Sequence, residues 1–228
     1  MRQIQTLDSF VNDVCAQIGD RIRLGKLDKT EVNLGKYLFD NKTHLDMIYQ
    51  SIKDNLLLNG YMYCLRDNFG AIELRDVYDL RLPLVIGDGS LATDFEYTNS
   101  IDDDTYNYIK VAKDDESKGV RDVYVAQNEP SIQAFGKLML YDKVDADLND
   151  QQLKARAERL LNLKNKETET LSVECIGDLR VMAGNGVKIE IKQANLNLWA
   201  LVESATHEFT KENHIMKLNL MFGRYANG

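Results

Sequence analysis

Proline is nearly absent from this chain, with two in 228 residues, and no repetitive tract accompanies it. That combination argues against a disordered linker protein. Cysteine is scarce as well. Cys15, Cys64 and Cys175 are odd in number and far apart, which argues against a disulfide framework and against zinc. Each has apolar neighbours, as expected of buried thiols in a reducing compartment. Positive charge is in deficit, 28 Lys and Arg against 36 Asp and Glu, for a net charge of -8. The chain as a whole therefore repels phosphates, and no Lys/Arg run offers nucleic acid a basic patch. Long apolar runs are also missing, and none approaches the roughly 20 residues of a membrane span. The opening Met-Arg-Gln-Ile-Gln has no apolar signal-peptide core. Without a secretion signal, Asn41-Lys-Thr43 is a chance match to a glycosylation acceptor. What remains, 44% apolar and 28% charged residues, is an ordinary globular composition, long enough for one large domain or two small ones.

The patterning predicts an α+β fold. Leu7, Phe10, Val11, Val14, Cys15 and Ile18 recur at helical spacing, and Gly19 suits the end of that helix. A second helix starts at Thr43, capped with Asp46, and stops at Asn59-Gly60. Its expected apolar face is Leu45, Ile48, Tyr49, Ile52 and Leu56. A hairpin follows, with Tyr61, Tyr63 and Leu65 on one strand, a turn at Asp67-Asn-Phe-Gly70, and Ile72 and Leu74 on the return. Residues 1–80 thus read as a small helix-plus-hairpin module. Residues 81–228 read as a β-rich, barrel-like domain, the boundary lying near Asp79 to Pro83. Its expected strands are 84–86, 106–113, 120–127, 137–144, 168–176, 179–182 and 186–191, the last two joined across Ala183-Gly-Asn-Gly186. A helix at about 149–164, boxed by Asn149 and Gln152, reads as an insertion covering an end or face of the barrel. The closing segment alternates Met216, Leu218, Leu220 and Phe222 on one face, a half-buried strand returning from Trp199–Phe209.

Candidate chemistry is thin. His207-Glu208 begins like the zinc-protease motif, but Lys211 stands where the second histidine belongs, and the segment reads as strand and turn rather than helix. His207 and His214 are expected to pack across the final hairpin. Gly87-Asp-Gly89 with Ala92 follows a strand in the spacing of a dinucleotide fingerprint. Asp88 would place a negative charge at the pyrophosphate and no amphipathic helix follows, so a tight turn is expected. Asp102-Asp-Asp104 and Asp145-x-Asp147-x-Asn149 resemble calcium ligands. In the second, Asp150 and Arg156 occupy the positions that need Gly and Glu, so it reads as a polar, acidic lead-in to a helix. There is no G-x-S-x-G elbow, and the tyrosines are not interleaved with basic residues. The residues indicate no catalytic, cofactor or metal site.

Three regions carry a family resemblance. They are Val202-Glu-Ser-Ala-Thr-His-Glu-Phe209 with His214-Ile-Met-Lys-Leu-Asn-Leu220, the stretch from Leu38 to Asp76, and Thr98-Asn-Ser-Ile-Asp-Asp-Asp-Thr-Tyr-Asn-Tyr-Ile-Lys-Val111. Together they resemble XkdQ/YqbQ-type tail hub proteins of phages and phage-like particles and, more remotely, late-control D proteins and VgrG spikes. The resemblance implies a non-enzymatic structural component of a contractile tail. Its baseplate hub is trimeric, joins tail tube to spike, and contacts baseplate proteins without nucleic acid, membrane or cofactor. It places the protein in the tail of a particle assembled in the bacterial cytoplasm. It also implies a piece lacking the family's N-terminal barrel. Two other readings stay open: a tail-borne cell-wall hydrolase, and a generic peptide- or glycan-binding β domain.

Overall fold

A computed structural model describes residues 2–4, 6–37, 39–102, 104–115, 120–144 and 148–222. In chain order the elements are β1 (Arg2–Ile4), α1 (Leu7–Ile18), β2 (Arg23–Leu27), β3 (Gly35–Tyr37), α2 (His44–Asn59), β4 (Tyr63–Asn68) and β5 (Ala71–Asp76). Then come β6 (Arg81–Gly87), β7 (Ala92–Ser100), β8 (Tyr108–Asp115), β9 (Val120–Gln127), α3 (Glu129–Phe135), β10 (Met139–Val144) and α4 (Asp150–Lys164). The chain ends with β11 (Thr168–Ile176), β12 (Gly186–Ile191), β13 (Leu196–Phe209) and β14 (His214–Met221). The fold is α+β. Contacts group it into two compact units, each made of two segments: Met1–Tyr61 with Ile101–Glu167, and Met62–Ser100 with Thr168–Gly228. This grouping is discontinuous, whereas a boundary near residue 80 cuts the chain once.

In the first unit, all four described helices begin at side-chain caps, α3 at Asn128, whose side chain accepts from Ser131 N. The Thr6 hydroxyl accepts from the Ser9 N–H at the head of α1. Thr43 and Asp46 form a reciprocal capping box on α2, as Asn149 and Gln152 do on α4, each satisfying amide groups that a helix start leaves unpaired. The expected stripe of α1 is buried at Leu7, Phe10, Val11, Val14 and Cys15. The face of α2 is not the expected one. Ile48 is buried as expected, but Leu45 and Tyr49 are over half exposed, and Ser51, Asp54, Asn55 and Leu57 are buried instead. Polar Asp54 goes inside because Arg156 of α4 meets it there.

The sheet of this unit has the order β10-β8-β9, with β10 parallel and β9 antiparallel to β8. One face packs Ile109, Val111, Ala126 and Val144 against Leu153, Ala157 and Leu160 of α4 and Leu57 of α2. Each large aliphatic side chain so buried contributes about 1.5–3 kcal/mol. The helix expected to cover the β-barrel therefore covers a separate three-stranded sheet. Unanticipated α3 buries none of its own side chains. Fully buried Asn107 holds it: its amide donates to Gly136 O at 2.7 Å, its Oδ1 accepts from Leu138 N at 2.8 Å, and its backbone carbonyl accepts from Asn128 N at 3.0 Å.

In the second unit, six strands lie in the order β6-β12-β13-β14-β11-β7, with only β6 and β12 parallel. All six feed one apolar core, including Ile86, Ile189, Val202, Leu218 and Val173, with Phe95 and Tyr97 of β7 packed against it. Met216, Leu218, Leu220 and Phe222 are buried on one face, as the period-two pattern requires. The ladder ends in β6 and β7, which are consecutive in sequence. No pairing between them closes a barrel among the described residues. Segment 101–167 leaves after Ser100 and returns at Thr168, and these two residues are register partners. Residues 179–182 are not a strand, and β12 does not pair back across 183–186. It runs beside β6 and β13.

The hairpin β4–β5 turns through two left-handed residues, Phe69 at φ 49° and Gly70 at φ 83°. Two-residue hairpin loops favour Asn-Gly there, because a bulky side chain is strained at positive φ. Phe69 is 90% exposed and recovers little by burial. Phe69→Asn is expected to stabilise the protein by about 0.5–1 kcal/mol, read as a higher urea midpoint at unchanged slope. An unchanged or lower midpoint would show that the ring contributes more than its backbone costs.

Candidate functional site

The densest cluster of unusual side chains lies where β13 turns into β14. The turn is tight: Thr210 N donates to Asn213 O at 2.8 Å, and the Thr210 hydroxyl accepts from Asn213 N at 2.9 Å. It brings His207 Nδ1 to 2.9 Å from His214 Nε2, the cross-strand meeting expected of this hairpin. His207 Nε2 lies 2.9 Å from Val181 O. A carbonyl only accepts, so His207 Nε2 carries a hydrogen, and a second hydrogen lies between His207 Nδ1 and His214 Nε2. Phe209 stacks on His214 with centroids 4.2 Å apart and planes 18° apart. The other side of that ring is closed by Gly177, where a Cβ would lie 2.3 Å from imidazole carbons. Gly177 N also donates to His214 O at 2.8 Å.

Around this pair the surface is apolar and exposed at Ile176, Leu179 and Phe209. Asp178 stands beside it. Hydrogen bonds from the Arg180 side chain and then the Arg180 N–H, with the charge of Arg180, hold its carboxyl down at about 2. Sequence reasoning missed Gly177 and Val181, because only the fold brings 176–181 against the hairpin.

A second surface is the face of β10-β8-β9 turned away from α4. Val123, Val125, Met139 and Tyr141 are each 39–54% exposed there, while Ala112 of the central strand is buried beneath its neighbours. Its charges are paired. Asp114 accepts from Arg121 at 2.6 Å and Lys143 lies at 2.7 Å, and these hydrogen bonds hold Asp114 at about 2. The alternation Arg121, Val123, Val125 was a legible signal for this face.

The other motifs serve structure. Gly87-Asp-Gly89 makes the turn from β6 to β7. Asp88 N donates to Glu190 O at 3.0 Å, and the Asp88 carboxylate accepts from Lys192 N at 2.8 Å. Lys164 pairs with Asp104, and Asn149 caps α4. Asp103, Asp145 and Asp147, named above as possible calcium ligands, lie outside the described residues. Among the described residues, no group of three or more His, Cys, Asp or Glu converges as a metal set. A polar cleft of about 500 Å³, lined by α2, β10 and α4, contains Lys42, Lys53 and the Asp54–Arg156–Asp142 ion pairs.

All three thiols are free. Burial pushes Cys15 and Cys64 up, and pushes Cys175 up to about 11 with help from Glu174. The thiolate is the reactive form. Iodoacetamide at pH 7.5 is therefore expected to label these cysteines only after unfolding, and a fully labelled native protein by mass spectrometry would contradict that placement.

Two relatives from Bacillus subtilis (strain 168) are similar in sequence. The phage-like element PBSX protein XkdQ is 26% identical over 183 residues, covering 80% of this chain and 55% of the relative. The protein YqbQ is 25% identical over 194 residues, covering 84% and 59%. The chain thus spans little more than half the length of these relatives. The crystal structure of the prophage MuSo2 43 kDa tail protein from Shewanella oneidensis shares the fold, at TM-score 0.69 and 11% identity over 96% of this chain and 66% of that one. The YQBQ-like family model matches residues 2–221, and the chain belongs to that family.

Proposed function

We propose that this chain is a structural part of the baseplate hub in a contractile phage or phage-like tail, acting by assembly rather than by turnover. The family match over residues 2–221 carries the reading, with XkdQ named as a protein of a phage-like element. The exposed apolar side chains Val123, Val125, Met139 and Tyr141 on the face of β10-β8-β9 turned away from α4 support it, because exposed large apolar side chains are what a partner covers. In this reading three copies associate, with the tail tube, spike and other baseplate proteins as neighbours, and the protein resides in the particle's tail after assembly in the bacterial cytoplasm. The test is light scattering on size-exclusion eluate, for this chain and for its longer relative XkdQ at full length. A trimer of the longer chain, with a monomer or a weaker trimer here, is the expected result. Monomers of both across the accessible concentration range would overturn the reading and favour a ligand-binding β domain.

A further inference from the structure

We infer that the polar cleft lined by α2, β10 and α4 is a binding site for a small organic phosphate, its phosphoryl group seated at Arg156. The cleft holds about 500 Å³, within the range of small-molecule sites. Among the described residues, Lys42, Lys53, Lys143 and Arg156 line it together with Asp46, Asp54 and Asp142. Formal charge therefore decides little, and what matters is which of these groups are still open.

The acidic groups are taken. Asp142 accepts from Arg156 Nε at 2.6 Å, and Asp54 accepts from Arg156 Nη1 at 2.5 Å. Asp46 accepts from the N–H and the hydroxyl of Thr43 in the capping box. Lys143 is engaged too, by Asp114 at 2.7 Å. What stays open is a set of donors. Arg156 Nη2 makes no hydrogen bond among the described residues. No buried side-chain nitrogen there lacks a partner, so Nη2 is not enclosed and opens on the cleft. Lys53 of α2 is exposed and has no ion-pair partner among the described residues. Lys42 is exposed as well, and its neighbour Asp46 is already held by Thr43.

A guanidinium clamped by two carboxylates presents its remaining edge in a fixed direction, at little further ordering cost. The two lysines are mobile charges that can close on a ligand. Three cationic donor groups from α4, α2 and the segment before α2 suit a tetrahedral oxyanion. A phosphate monoester is mostly a dianion at neutral pH and offers three acceptor oxygens. A carboxylate has two, in one plane, and leaves a donor unused. Tyr49 and Gln50 offer polar groups to hydroxyls, and Leu34 and Leu148 offer apolar contact, so the ligand carries a small polyol or ring.

The test titrates the full chain with glucose 6-phosphate, inorganic phosphate, glucuronate and glucose, by calorimetry and by NMR of the arginine Nε–H groups. Glucose 6-phosphate should bind once per chain, shift the Arg156 Nε–H resonance, and weaken as salt is raised. Inorganic phosphate should compete for the same site, and glucose should not bind. Lys53→Gln and Lys42→Gln should each weaken binding at least about fivefold. Both side chains are exposed, so these variants should keep the wild-type circular dichroism, which Arg156 variants need not. Lys154→Gln, on α4 away from the cleft, should leave binding unchanged. Glucuronate binding as tightly as glucose 6-phosphate would overturn the assignment to phosphate. No saturable binding of either phosphate up to about 10 mM, or binding indifferent to both lysine substitutions, would overturn the site.

Discussion

Replacing Arg156 with Met is expected to cost about 3–5 kcal/mol of stability. At about 2–4 °C per kcal/mol for a chain of this size, the melting temperature would fall by roughly 6–20 °C. Arg156 is 7% exposed and sits on the apolar stripe of α4, between Leu153 and Leu160. Its Nη1 lies 2.5 Å from Asp54 of α2 and its Nε 2.6 Å from Asp142 of β10. Burial works against the guanidinium charge, but the two carboxylates outweigh it and raise its pKa above the ordinary value. Methionine fills much of the same volume, yet takes the guanidinium away from Asp54, 8% exposed, and from Asp142. Carboxylates buried around a lost cation are what make the loss large.

The contrast is a triple variant in which Asp54 and Asp142 also become apolar. It should recover most of the lost stability, because removing the whole ionic group avoids the stranded charges. Arg156→Lys should fall between, since an ammonium cannot fork to two carboxylates in the same geometry. Urea midpoints followed by circular dichroism would decide the matter. A loss below about 1 kcal/mol for Arg156→Met would mean that the triad is solvated like a surface pair.

Arg156 also marks what could be read from the chain. Local signals were legible: the stripe of α1, the capping boxes of α2 and α4, the limits of β11, and the alternation of β14 all lie within a few residues of one another. The buried face of α2 was not legible. Leu45 and Tyr49 are its most apolar surface residues, but Asp54 and Asn55 go inside because their partners are elsewhere. Asn55 donates to Tyr61 O, and Asp54 meets a guanidinium 102 residues away. Strand β7 was hidden for the same reason. Asp94 and Glu96 lower its local strand propensity, and its partner β11 lies beyond an insertion of more than sixty residues. Helix α3 did leave a signal, Asn128 as cap with Pro130 in the first turn, too short to stand out without Asn107 to hold it. For the site, the meeting of His207 and His214 was legible from the hairpin. Val181 and Gly177 were not, because the 176–181 stretch arrives there by a tertiary contact.

Gly87→Ala should be the most damaging conservative change in the second unit, costing about 3 kcal/mol or more. A Cβ on Gly87 would lie 1.9 Å from Glu190 O and 2.6 Å from its carbonyl carbon. Those are backbone atoms of β12, held in register with β6 through Glu190 and Gly87, so no side chain can rotate away. Relief requires β6 and β12 to separate where Asp88 N also donates to Glu190 O. Gly89 provides the internal control. It has φ 72° and open space around its missing Cβ, so Gly89→Ala should cost only the left-handed strain of about 1–2 kcal/mol. The order of the two effects discriminates between roles for this glycine pair. A phosphate-cradling loop needs both glycines for ligand approach and little for strand packing. A turn that closes one strand on another concentrates its loss at Gly87. Equal, small losses in denaturant unfolding would return the loop to the list of candidate ligand sites, whereas a loss at Gly87 clearly above that at Gly89 assigns it to the β6–β12 junction.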